Sequence, residues 1–149
     1  MSENRIKELI EKIIDPDMSV SFVAKHELAS MGEMAVPELL KVFERDPRTT
    51  VRYWIIDVLG KMGQKAENAV PTLIKTLEED TDEGVRAVAA GALEVIVENP
   101  KEIVPVLISA FKNDESSRVR DTAALVLNKI ASKLGYENTE NLIQAFGDG

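Results

Sequence analysis

His26-Glu27 is the first place where residue types could do metal chemistry, since an imidazole and a carboxylate stand side by side. That chemistry meets its limit at once. The chain has one His and no Cys, which excludes a site needing two imidazoles or thiolates in one chain, and with it disulfides and cysteine nucleophiles. The acidic run Glu78-Glu79-Asp80-Thr81-Asp82-Glu83 suggests calcium. A helix-loop-helix calcium site needs Gly at loop position 6 and Glu at 12, and counting from Asp80 puts Gly84 at 5 and Gly91 at 12. The run therefore reads as a solvated loop in which Asp82 caps the next helix. Phosphate-cradling glycines, a serine nucleophile elbow and a zinc helix motif are absent from the sequence. A last set recurs: Asp46 with Arg52, Asp80 with Arg86, Asp114 with Arg120. Such a ladder could bind charge, but its fixed separation suits buried links between a loop and the following helix.

The whole chain sets the frame for these side chains. Its 149 residues suggest one domain, and 44% hydrophobic with 30% charged residues is enough apolar content to bury a core. Only four Phe, two Tyr and one Trp are present, so aliphatic side chains must do the packing. A net charge of −8 argues against nucleic acid, whose binding rests on neutralising phosphates. The N-terminal segment is amphipathic from Ile6 to Ile14, unlike a signal peptide, and no stretch reaches the roughly 18 apolar residues of a membrane span. A cytoplasmic chain without membrane contact or cofactor is the expectation.

An internal repeat organises everything else. Val36-Pro37, Val70-Pro71 and Val104-Pro105 stand 34 residues apart, and so do Val51-Arg52, Val85-Arg86 and Val119-Arg120. Asp46, Asp80 and Asp114 keep the step, as do Leu39, Leu73, Leu107 and Leu59, Leu93, Leu127. Degenerate copies flank these three: Asp15-Pro16 and Val20 precede them, and Asn141 to Phe146 echoes Val106 to Phe111. The domain, 1–149, divides into repeats at about 3–32, 33–66, 67–100 and 101–135, with a half-repeat at 139–146.

Each copy carries two apolar stripes at helical spacing, such as Val36, Leu39, Leu40, Phe43 and then Val51, Ile55, Val58, Leu59, Met62. This predicts nine helices and no strands. Pro37 sits early in its helix, where a missing N–H costs least. Pro105 falls further in, if Asn99-Pro100 opens its helix, and predicts a kink. Gly63 ends the second helix of its copy. One helix pair cannot bury its stripe alone, so the pairs stack as an all-α solenoid, a right-handed superhelix of about four pairs and a closing C-terminal helix. Lys7, Glu8, Glu11 and Lys12 give one end a polar surface, Asn141 and Gln144 the other.

These columns resemble the HEAT-repeat family, in particular its short, phycobilisome-lyase-like repeats. The matching residues are the Val-Pro of the first helix, the Asp between helices, and the second-helix run Val85-Arg86-Ala87-Val88-Ala89-Ala90-Gly91-Ala92-Leu93. The resemblance implies an armadillo-like solenoid whose concave surface, lined by second helices, holds proteins. Lys25-His26-Glu27-Leu28-Ala29 also looks like the His-Glu motif of deoxyhypusine hydroxylase, a HEAT-like di-iron enzyme. That chemistry needs several such pairs, and the equivalent positions here are Asp57-Val58, Gly91-Ala92 and Leu125-Val126.

A turn of 100° per residue places Tyr53, Asp57 and Gly60 opposite the core stripe, with Trp54 and Lys61 on one flank. The equivalents are Phe22 and His26 in the first copy, Gly91 with Val88 on the flank in the third, and Leu125 in the fourth. This face is less polar than a solvated face. Phe22 and Tyr53 are expected at the surface as anchors, Trp54 either there or between repeats, with His26, Asp57 and Lys61 adding polar selectivity. The expectation is a non-enzymatic scaffold holding a protein or peptide partner. The alternatives are an enzyme or enzyme subunit, bilin-lyase-like or hydroxylase-like, and a structural homodimer.

Overall fold

The computed structural model describes residues 2–147, so both extremes of the expected 1–149 domain lie outside it. Nine α-helices run through the described residues, and no strand is among them. They are α1 (Ser2–Lys12), α2 (Met18–Ser30), α3 (Val36–Arg45), α4 (Thr49–Met62), α5 (Val70–Glu79), α6 (Glu83–Ile96), α7 (Val104–Asn113), α8 (Ser117–Leu134) and α9 (Thr139–Ala145). Odd-numbered helices are the first members of successive pairs and even-numbered ones the second. Short 3₁₀ turns at Gly32–Ala35, Gly63–Ala69 and Pro100–Ile103 join one pair to the next.

The repeat columns become the core. Leu39, Leu73, Leu107 and Leu142 are all 0% exposed, as are Leu28, Leu59, Leu93 and Leu127. Pair packs on pair through the second helices, α2 on α4, α4 on α6, α6 on α8, with α9 closing over α8. Side chains absent from the expected stripe join the core as well: Ile56 and Ala90 are fully buried.

Local chemistry sets the boundaries. Asp17, Asp82, Ser116 and Asn138 each cap a helix by accepting a backbone N–H two or three residues on. Gly63 stops α4 at φ 64°, ψ −140°, a conformation that essentially only glycine adopts. The expected kink at Pro105 is not found. Asn99 caps a separate 3₁₀ turn by accepting the Lys101 N–H, and α7 starts afresh at Val104. Pro105 is thus the second residue of its α-helix, like Pro37 and Pro71, where no intrahelical donor is lost.

Candidate functional site

The Asp–Arg ladder is structural, but its rungs join other partners than spacing suggested. Arg52 pairs with Asp80 (Nη2 to Oδ2, 2.7 Å), the Asp of the next repeat rather than Asp46. Arg86 likewise grips Asp114 through Nε and Nη2, both at 3.0 Å. The cause lies in the loop. Each Asp spends Oδ1 on the backbone N–H two residues on (Arg48, Asp82 and Ser116, at 2.9, 3.0 and 2.9 Å), which turns the carboxylate toward the preceding repeat. Within its own copy the arginine reaches main chain: Arg86 donates to the Asp80 carbonyl, Arg120 to that of Asp114 and Arg52 to that of Phe43, over whose ring the Arg52 guanidinium also lies, 4.4 Å from the centroid. Asp46, whose preceding repeat carries Ser21 in the arginine column, takes Arg48 instead (2.7 Å). Burial opposes the charge on Asp114, but the Arg86 guanidinium and the Ser116 N–H outweigh it and hold the carboxyl below its ordinary value.

The second-helix face carries most of the predicted site. Phe22 and Leu125 are 69% and 66% exposed, and His26 and Lys61 also face solvent. Phe22 and His26 stack one helical turn apart, their rings 6.4 Å between centroids and nearly parallel. Tyr53, Trp54, Asp57, Val88 and Gly91 are half-buried. That corrects the expectation for Tyr53, which packs partly onto the core with its ring edge-on to Trp54 at 5.0 Å. Trp54 faces the preceding repeat, where the Lys25 ammonium lies 3.2 Å from its ring centroid. Burial there lowers the Lys25 pKa, with Asp57 acting in the opposite sense. Sequence reading missed Lys25. The available signal was its column, whose other members Ile56 and Ala90 are apolar and fully buried.

Between α4 and α6 the face opens into a groove of about 350 Å³. Gly60 and Gly91 create it, because neither wall helix has a side chain there. A Cβ added at Gly91 meets nothing within 4 Å. Val88 and Val95, the latter 52% exposed, line the α6 wall. Asp57 and Lys61 line the α4 wall and pair with each other at 3.0 Å. Farther along, Glu94 of α6 and Lys133 of α8 form an ion pair across the repeat boundary. The face thus exposes the apolar Phe22, Val95 and Leu125 and carries charge of both signs beside them. His26 belongs to no metal-binding cluster: among the described residues no three His, Asp or Glu side chains converge in that way. No helix of the described residues is long and apolar enough to cross a membrane.

Comparison with known proteins places these features. The family description of HEAT repeats matches residues 6–94 and, overlapping, 70–148. Among solved structures, the chain is similar to the complex of CpcE and CpcF of phycocyanin lyase from Nostoc sp. PCC7120. The likeness has a TM-score of 0.72 at 24% identity, and covers 87% of this chain and 79% of that one. At that identity it bears on the fold alone. No curated protein matches the sequence.

Proposed function

Because this chain belongs to the HEAT-repeat family, we propose that it is a non-enzymatic scaffold that holds a protein or peptide partner on its second-helix face. One observation carries the reading. Of the six large apolar side chains left exposed among the described residues, Phe22, Val95 and Leu125 stand on the second-helix face, which also holds a groove kept open by two glycines. A chain able to bury every leucine of two core columns leaves these out, and exposed apolar groups rimmed by charge mark binding surfaces. Phe22 anchors one end and Leu125 the other, the groove takes an apolar side chain between them, and the Asp57–Lys61 pair with His26 selects for polar complementarity. The solved relative is itself a complex of two chains, which supports a protein as the partner class.

Affinity capture tests this with variants that separate binding from folding. Gly91→Trp fills the groove from a point with open space around it. It also replaces a mid-helix glycine, which costs about 1 kcal/mol relative to alanine, so the fold is retained. The capture expected of the wild type is lost in Gly91→Trp and weakened about tenfold or more in Phe22→Ala, the scale of an interface anchor. A control at Ser109, exposed on α7, leaves capture intact. Equal capture by all four proteins would remove this face from the account.

A further inference from the structure

A second hollow, of about 460 Å³, lies on the opposite side of the stack, between α1, α3 and the loop after α3. Its α3 wall carries Glu38, Lys41, Val42 and Arg45, spaced so that all four share one stripe of the helix. Glu38 is the unusual member. Its side chain is only 10% exposed, yet its one ion-pair contact among the described residues is Lys41 at 3.9 Å, beyond hydrogen-bond reach. A buried carboxylate normally holds a close donor, because burying its charge unpaired is costly. Its oxygens are not sealed in: no side-chain oxygen among the described residues is both fully buried and without a partner. What remains open to Glu38 is the hollow.

The other end of the stripe carries the opposite charge. Arg45 is exposed and makes no hydrogen bond or ion pair among the described residues. Among the described residues Lys7, which lines the hollow from α1, pairs only with Glu3, at 4.0 Å. Arg48 in the same hollow is already engaged, by Asp46 and Glu11. Glu38 and Arg45 stand seven residues apart, about 10 Å along the helix, with Val42 on the same stripe between them and Pro47 also lining the hollow. We propose that this hollow binds a small zwitterion, an ω-amino carboxylate whose ammonium meets Glu38, whose aliphatic chain lies over Val42 and Pro47, and whose carboxylate meets Arg45 and Lys7. A dianion is disfavoured by Glu38 and a simple amine gains nothing from Arg45. This site is independent of the second-helix face.

The test is a titration of the full chain with 6-aminohexanoate, followed by NMR shifts of α3 amides, beside hexanoate and hexylamine, which each lack one charge. The expected result is saturable binding of 6-aminohexanoate, with hexanoate and hexylamine each at least tenfold weaker. Arg45→Gln, at an exposed position, lowers the affinity for 6-aminohexanoate about tenfold and leaves that for hexylamine unchanged. Glu38→Gln does the converse, leaving hexanoate unaffected. Absence of saturable shifts in a folded chain would overturn the site. So would equal binding of all three probes, which marks a merely apolar hollow, or tighter binding of hexanoate, which marks an anion site.

Discussion

Asp114→Ala lowers the stability of the chain by about 3–5 kcal/mol, the cost of leaving a buried charge without its partner. The stranded group is Arg86, whose side chain is 8% exposed and whose Nε and Nη2 both donate to Asp114. For a chain of this length that corresponds to a fall in Tm of roughly 10 °C. In a stacked-repeat protein the loss falls on one interface, so α7 and α8 detach before the rest and denaturant unfolding becomes less steep. Asp114→Asn keeps the loop's hydrogen bond to Ser116 and isolates the charge effect. Arg86→Met combined with Asp114→Asn removes both charges and recovers most of the loss, as expected where desolvation offsets Coulomb attraction. The pH dependence has a definite sign. The folded Asp114 carboxyl titrates below its ordinary value of about 3.9, so its contribution is present above that pH and is lost as pH falls through the depressed folded value. The stability gap between wild type and Asp114→Asn is therefore constant at neutral pH and closes in strong acid. A gap that stayed unchanged down to about pH 2 would contradict the pairing.

The second large effect comes from the core. Leu93→Ala costs about 3–5 kcal/mol, since Leu93 is 0% exposed at the centre of α6 and its neighbours on both sides are fixed by packed repeats. Leu125→Ala, the same change on α8, costs about 0.5 kcal/mol or less because that side chain is 66% exposed. Chemical denaturation of the two variants reads the difference directly. Similar losses in both would mean that the columns had been assigned to the wrong faces.

The contrast between these two leucines shows how far residues alone lead. Leu93 shares a column with Leu59 and Leu127, and a column that stays aliphatic in every copy can only be core. That logic carried the helix pairs and the solenoid. It fails for the ladder. A periodic sequence places an Asp both six residues before each central arginine and 28 after it, and periodicity cannot choose between them. The choice is made by the Asp side chain's hydrogen bond to its own loop, which orients the carboxylate of Asp80 and Asp114 toward the arginine of the preceding repeat.

The candidate face was legible in outline and not in depth. Helical angles put Tyr53 opposite the core and Trp54 on a flank, but angles on an isolated helix omit what the neighbouring pair covers. Lys25 covers Trp54 from the first repeat, and Tyr53, edge-on to that same ring, is half-buried against the core. Phe22 lies on the first pair, where no preceding repeat covers it among the described residues, and it keeps the exposure its helical angle suggests. The Glu38 hollow left no trace in the repeat columns, because it depends on Lys7 of α1 meeting α3 across the stack.

Site-specific photo-crosslinking tests the proposed role of the second-helix face most directly. A benzophenone side chain at Val95, on the rim of the groove, is compared with one at Ser109 on the first-helix side, each in the presence of cell extract. The account predicts a discrete adduct from position 95 that Phe22→Ala diminishes, and none from position 109. A discrete adduct from position 109 alone, or one from position 95 that is indifferent to Phe22, would contradict it.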